Sequence, residues 1–346
     1  MPTIREIAKE TGLSVSTVSI VLRGNVPKGR VSEKTQKIIR RAAQKLGYQP
    51  NLSARRLRSG QENKRTIAVF WASDFRAPMM VRFLRGLQNA VLESGDPCEF
   101  IIYPYRVGNL SDTLREPYFY NAAVICNASR EDITFLESNG IPVPVVLYNR
   151  HSQTISNVCV DNVAMGTIPA RIFKSRGHSH AVMISNRTPF IGMEQREGCF
   201  TQEVMNSGMS VRMLRVEASM QGGYQAAAEI ASMVPRPDCV FCLHDSLAIG
   251  VLKGFTANGI KVPEDIELIS VGNGEKDMEE YASTSLSVVH LPMEKMAAEC
   301  LRLALSSTWG QAEGDRSVML PVAYRCRESC GPLISDDPAE TPQGSE

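Results

Sequence analysis

The 346-residue chain has no run of 18 or more apolar residues, which excludes a helix long and apolar enough to cross a bilayer. Its opening residues, Met1-Pro2-Thr3-Ile4-Arg5-Glu6, lack the basic start and apolar core of a secretory signal, so a soluble, cytoplasmic protein without a membrane partner is expected. Nine cysteines are scattered through apolar runs, and no second pair stands at zinc-finger spacing. Cys239-Val240-Phe241-Cys242 is formally a C-x-x-C, yet it lies in a strand-like run where an odd offset sends the two sulfurs to opposite faces. The thiols are therefore read as buried and reduced. The five histidines never fall at metal-ligand spacing on a helix, and His178-Ser179-His180 fits a turn before an apolar strand. There is no P-loop and no Gly-x-Ser-x-Gly elbow, and Gly272-Asn273-Gly274 lacks the third glycine of a dinucleotide fingerprint. No metal, no cofactor and no catalysis are expected.

A net charge of one sign is missing too, since the total is only +1, but that total hides a division. Residues 1–65 hold 15 Lys and Arg against 4 Asp and Glu, a net of +11, while residues 66–346 hold 23 against 33, a net of −10. A basic arm on an acidic body is the electrostatic footprint of a nucleic-acid-binding module joined to a domain with another task. With 43% hydrophobic and 22% charged residues, the chain is too apolar for extensive disorder and long enough for two or three domains.

Within the arm, Thr3-x-x-Glu6 is a capping-box pattern opening an amphipathic helix with Ile4, Ile7 and Ala8 on one side, and Gly12 follows as a C′ residue. Ser14 then caps a second helix, Val15 to Leu22, whose Val18 and Val21 alternate with small hydroxyl residues. A third, basic helix spans Ser32 to Leu46. Two short helices joined by so tight a turn predict a helix-turn-helix that presents the start of its second helix to the DNA major groove. An ordinary three-helix bundle shares that pattern, and the +11 charge favours the phosphate-facing alternative.

These residues, Thr3-Ile4-Arg5-Glu6-Ile7-Ala8 and Gly12-Leu13-Ser14-Val15-Ser16-Thr17-Val18-Ser19, resemble the headpiece of the LacI/GalR family of bacterial transcriptional regulators. Gly47-Tyr48-Gln49-Pro50-Asn51 and Ala54-Arg55-Arg56-Leu57-Arg58-Ser59-Gly60 are similar to the family's hinge, which forms a short helix on operator DNA and wedges a leucine into the minor groove. The resemblance implies a DNA-facing set of Thr3, Ser14, Val15, Ser16, Thr17, Ser19, Ile20, Asn51, Ala54, Arg55, Leu57 and Arg58, with Leu57 as the wedge and Val15 and Ser16 setting operator preference. It also implies a homodimer on double-stranded, pseudo-palindromic operator DNA. One departure is the loop Asn25-Val26-Pro27-Lys28-Gly29-Arg30, longer than in the best-known members.

From Ile67 onward, apolar runs alternate with helix-length segments, a rhythm of βαβ units building parallel sheets. Arg176-Gly177-His178, Arg196-Glu197-Gly198, Val262-Pro263-Glu264-Asp265 and Arg325-Cys326-Arg327-Glu328 are similar to family landmarks. The implied fold class is α/β: an all-α helix-turn-helix headpiece and a two-lobed, periplasmic-binding-protein-like body with parallel sheets. The expected division is 1–49 for the headpiece, 50–65 for hinge and linker, 66–335 for the body and 336–346 for a flexible tail. Lobe one takes about 66–162 and 291–325, and lobe two about 163–290 and 326–335.

By the same resemblance a small-molecule effector, a sugar or derivative, occupies the interlobe cleft, with Ser73, Phe75, Met79, Asn127, Asn149, Arg196, His244, Asp245 and Asn273 as its candidate contacts. Arg196 matches the family's effector arginine, while Asp245 is equally readable as structural. Two positions depart from sugar-responsive members: Gly272 stands where they carry an aspartate and Ala218 where they place an aromatic. Losing a carboxylate partner for hydroxyls and a stacking platform argues against an ordinary monosaccharide. The rival readings are a solute-binding protein and an enzyme on a two-lobed scaffold, and neither explains the basic arm.

Overall fold

A computed structural model describes residues 4–22, 31–46, 64–74, 76, 79–114, 120–139, 141, 143–187, 190–308 and 317–331. The expected hinge contacts Asn51, Ala54, Arg55, Leu57 and Arg58, together with Thr3, Phe75, the 25–30 loop and the 336–346 tail, lie outside these residues.

Three helices, Ile4–Thr11, Val15–Leu22 and Glu33–Lys45, come first. Their inward faces, Ile7, Ala8, Val18, Val21, Ile39, Ala42 and Ala43, close on one another as a small core of their own. Leu13 N–H donates to the Ala8 carbonyl at 3.1 Å, and Gly12 sits at φ +67°, so the tight turn between the first two helices ends in the left-handed geometry that glycine adopts without strain.

The described strands are β1 (Arg65–Ala72), β2 (Cys98–Tyr105), β3 (Ala122–Cys126), β4 (Val145–Tyr148), β5 (Ser156–Val160), β6 (His180–Asn186), β7 (Ser210–Val216), β8 (Cys239–Cys242), β9 (Glu267–Gly272), β10 (Ser287–His290), β11 (Ser317–Leu320) and β12 (Ala323–Arg325). They form two six-stranded sheets, ordered β11-β5-β4-β3-β1-β2 and β12-β10-β9-β8-β6-β7. All pairings are parallel except β12 against β10. Central strands such as β1 are buried on both faces, hence their near-continuous apolar sequence, whereas the edge strands β2 and β7 carry exposed positions. Alternation sends Ile67, Val69 and Trp71 to one core and Ala68, Phe70 and Ala72 to another. The same pleat separates Cys239 from Cys242, whose side chains join different cores.

The chain passes between lobes after β5, after β10 and between β11 and β12. Two boundaries differ from expectation. Strand β12 pairs with β10 in the second sheet, so 323–325 belongs to lobe two rather than lobe one, and the first sheet begins at Arg65, one residue inside the expected linker. Both edges are set by backbone pairing, which composition does not report.

In each sheet the strand order reverses beside the first strand, between β1 and β3 and between β6 and β8. That reversal opens a crevice beyond the carboxyl ends of the strands, and the segments following β1, β3, β4 and β6 converge there.

Candidate nucleic-acid interface and interlobe cleft

In the headpiece, Ser14 Oγ accepts from the Thr17 N–H at 3.1 Å and contacts Thr17 Oγ1 at 2.8 Å, which caps the second helix. Ser32 caps the third helix in the same way, accepting from Thr35 N–H at 3.2 Å. With Val18 and Val21 turned inward, Ser14, Val15 and Ser16 stand exposed at the start of the second helix, and Thr17, Ser19 and Ile20 are half-buried behind them. An exposed apolar Val15, 47% accessible, has no packing role and is free to meet a thymine methyl. Lys34, Lys37, Arg40 and Arg41 are exposed on the third helix, and Lys45 pairs with Glu10 at 2.9 Å. The described headpiece thus presents a short hydroxyl and methyl surface beside a set of cations suited to phosphates.

Between the lobes lies a cavity of about 440 Å³ whose lining includes Asp74, Arg76, Asn127, Arg150, Phe190 and Glu194. Its geometry starts at strand ends. Asn127, after β3, and Asn149, after β4, sit at φ 65° and 53°, left-handed conformations that asparagine tolerates better than most residues. The Asn149 turn places Arg150, whose Nε donates to the Ala128 carbonyl at 2.6 Å and whose Nη1 donates to the Asn149 carbonyl at 2.6 Å. Opposite, Phe190 begins the helix Ile191–Asn206, which carries Arg196. Arg196 Nε donates to Asn162 Oδ1 at 2.8 Å, so the helix start beyond the first lobe crossing orients it.

Three guanidinium groups surround the Phe190 ring: Arg150 at 4.5 Å, Arg76 at 5.4 Å and Arg196 at 5.7 Å from the ring centroid to Cζ. Only Arg76 has a carboxylate among the described residues, Asp74, which it grips from Nε at 3.1 Å and from Nη2. Burial first, then the neighbouring Arg76 and Arg196, push Arg150 down to about 9, and burial pushes Arg196 down to about 10. Both still carry their charge at neutral pH. An aromatic face contributes about 0.5–2 kcal/mol to each cation. That falls short of the several kcal/mol lost on desolvating an ion.

Of the described candidates only Asn127 lines this cavity; Asn149 and Arg196 lie beside the lining, and the rest lie elsewhere. Asp245 accepts from Ser246 N–H at 2.8 Å and from Gly274 N–H, and Asn273 Oδ1 accepts from Asp245 N–H at 3.4 Å. His244 Nδ1 meets Ser246 Oγ at 2.6 Å. Asp245 and Asn273 tie the ends of β8 and β9 together, an arrangement that favours the structural reading of Asp245. Met79 is packed in the core beside Phe83, and Ser73 is exposed with its N–H on the Tyr105 carbonyl at 2.9 Å. Sequence reading missed Arg150 and Phe190 as cleft residues. A charge immediately after the β4 apolar run was the available signal for Arg150, whereas Phe190 had none.

The two departures from sugar-responsive relatives also find their surroundings. A Cβ at Gly272 would lie 2.7 Å from Glu279 Oε1 and 2.8 Å from Val288 Cγ2, so the space an aspartate needs is filled by a buried glutamate. Ala218 is half-buried outside the cavity lining, and the aromatic ring in the cleft is Phe190.

Comparison with known proteins agrees with both parts of this architecture. Residues 3–51 match the model described as bacterial regulatory proteins, lacI family, and residues 170–330 match a periplasmic binding protein-like domain. The "Probable HTH-type transcriptional repressor ExuR" of Bacillus subtilis is 27% identical over 311 residues, which is 86% of this chain and 89% of that relative. The HTH-type transcriptional regulator DegA of the same organism is 24% identical over 96% of this chain and 98% of its own length. Among solved structures, a LacI family transcription regulator from Clostridium acetobutylicum superposes with a TM-score of 0.73 at 28% identity, covering 76% of this chain and 99% of that one. The lac repressor dimer bound to operator and an anti-inducer shares the fold over 96% of this chain and 99% of its own, at a TM-score of 0.68 and 17% identity. Sequence, fold and the two surfaces converge: the chain joins a headpiece of the lacI family of bacterial regulatory proteins to a periplasmic binding protein-like body, and is a transcriptional regulator with a helix-turn-helix DNA-binding part and an effector-binding part.

Proposed function

We propose that this regulator is a cytoplasmic repressor that binds a pseudo-palindromic operator as a homodimer and is switched by a small molecule in the interlobe cleft, with no catalysis of its own. The observation carrying this reading is the pairing of a capped second helix, exposing Ser14, Val15 and Ser16 on a basic headpiece, with a cavity lined from both lobes. Two headpieces related by a twofold axis read two half-sites, and the Leu57 pair meets at the centre. An effector acts only through its differential affinity for the DNA-competent and relaxed states. A coupling of about 1–3 kcal/mol changes operator affinity roughly 5–150-fold. Two solved LacI family transcriptional regulators hold ribose, and the transcriptional regulator CelR holds cellobiose, which supports a sugar or sugar derivative as the effector class.

The test is selection of bound DNA from a random pool, followed by gel shifts on the recovered sequence. A two-half-site operator, bound by dimers with an affinity that falls steeply with salt as counterions are released, is the expected result. Recovery of no sequence preference overturns the reading. Leu57→Ala should weaken that binding while dimerisation persists, and an unchanged affinity would remove Leu57 from the operator contact.

A further inference from the structure

We infer that the effector cleft is built for an anion, a small metabolite bearing a carboxylate or phosphate group that Arg150 holds against the face of Phe190, with Arg196 adding its charge from beside the same ring, outside the cavity lining. This rests on the reading of the cleft as the effector site and adds the charge class of its ligand.

Arg150 and Arg196 are 4% and 2% exposed, and among the described residues neither has a carboxylate partner. Arg150 is held only by two backbone carbonyls, which orient the guanidinium without neutralising it. Arg196 spends its Nε on Asn162, and its buried Nη2 has no acceptor among the described residues. The same holds for the buried Nδ2 of Asn127 on the cavity wall. What the site lacks is acceptors, and planar guanidinium forks match the paired oxygens of carboxylate and phosphate.

The acidic groups nearby do not supply that need. Asp74 is gripped by Arg76, and Glu194 pairs at 3.2 Å with Arg130 across the exposed mouth. Glu131 is exposed at the first turn of the helix Arg130–Asn139, its carboxyl held below the ordinary range by the backbone N–H there and by Ser129. The cavity wall is left with the buried charge of Arg150, and Arg196 stands against the Phe190 ring outside the lining; burial has pushed both down in basicity. Around this polar centre Phe190, Val107 and Ile191 provide an apolar wall, and the cavity's size of about 440 Å³ suits a ligand of small-metabolite dimensions. Neither a glycosyl hydroxyl nor a neutral base would neutralise Arg150, and a carboxylate or phosphate does.

The experiment is thermal unfolding of the full chain at fixed ionic strength with galacturonate, gluconate, citrate, glucose 6-phosphate and inorganic phosphate, against neutral galactose, ribose and sorbitol. At least one anion should raise the unfolding temperature saturably while the neutral compounds do not, and the carboxylates and phosphates separate the two sources. Arg150→Gln should weaken that response at least tenfold. Without ligand the same variant should unfold at an equal or higher temperature, because it removes an unneutralised buried charge. A neutral sugar bound equally by wild type and variant, no response to any anion, or a ligand-free variant markedly less stable than wild type would each overturn the inference. Operator binding, followed separately by gel shift with the selected sequence, distinguishes the two readings. Loss of sequence-specific binding by the wild type removes the regulator reading, whereas saturable anion binding that leaves operator affinity unchanged keeps the anion site and removes only its effector role.

Discussion

The Arg150 guanidinium, from the end of β4 in the first lobe, lies 4.5 Å from the centroid of the Phe190 ring, which starts the helix Ile191–Asn206 of the second lobe. The contact spans the cleft, so any ligand that moves either side chain alters how the lobes meet. In a two-state regulator this is where differential affinity can be generated.

Phe190→Ala should therefore reduce the effect of the inducing ligand on operator binding. Removing a cation–π surface of about 0.5–2 kcal/mol corresponds to a roughly 2–30-fold weaker ligand response. Ligand-dependent gel shifts measure it, and an unaltered response would place the ring outside the coupling.

Ser14→Ala should loosen the second helix. Losing an N-cap costs about 1 kcal/mol, which is a roughly fivefold loss of hydrogen-exchange protection for the first amides of Val15–Leu22 in the full chain. Operator affinity should fall with it, and equal protection in wild type and variant would contradict the capping role.

Glu294→Ala should destabilise the body strongly. Arg82 is 1% exposed and donates to both oxygens of Glu294 at 2.7 Å, as well as to the carbonyls of Gly274 at 3.0 Å and Leu291 at 3.2 Å. The bond to Gly274 ties the helix Met80–Ser94 of lobe one to the loop after β9 in lobe two, and those to Leu291 and Glu294 tie it to the segment after β10. Leaving the cation without its carboxylate costs about 3–5 kcal/mol, read as a lowered urea midpoint. Replacing both partners, Arg82→Met with Glu294→Leu, should recover much of it.

Glu279 supplies a pH test. Burial first, then the Asp245 carboxylate, raise it to about 7, opposed by Arg327 and Arg82. Because the folded value exceeds an unfolded value of about 4.3, the stabilising contribution is complete below about 4.3 and is lost as pH rises through about 7. Unfolding free energies of Glu279→Gln and wild type should diverge in the variant's favour by about 1–3 kcal/mol between pH 4.5 and 8. A difference that stays constant over that range would show that Glu279 does not titrate as described.

Much of this architecture is legible in the chain because its signals are local. The capping serines, Gly12 and the helical spacing of Ile4, Ile7 and Ala8 and of Val18 and Val21 define the first two headpiece helices, and continuous apolar runs mark the inner strands β1, β3, β4, β6, β8 and β9. The strands left unread, β5, β7, β10, β11 and β12, are short or interrupted by polar residues, and most owe their existence to backbone pairing with a neighbour already in place.

For the cleft, the family resemblance supplied Asn127, which lines the cavity, and Arg196, which stands against the Phe190 ring. It could not separate Asp245, whose carboxylate is taken up by Ser246 and Gly274, from a ligand-facing acid, since that depends on a loop 29 residues downstream in the sequence. Nor could it bring Arg76, Arg150 and Arg196 to one ring, because they follow different strands in two lobes. The division of charge into a basic arm and an acidic body was determined by sequence alone, as charge and helical period are properties of neighbouring residues. The positive interior of the acidic body was decided only by tertiary structure, because burying a cation without its counter-charge is a relation between distant segments that composition averages away.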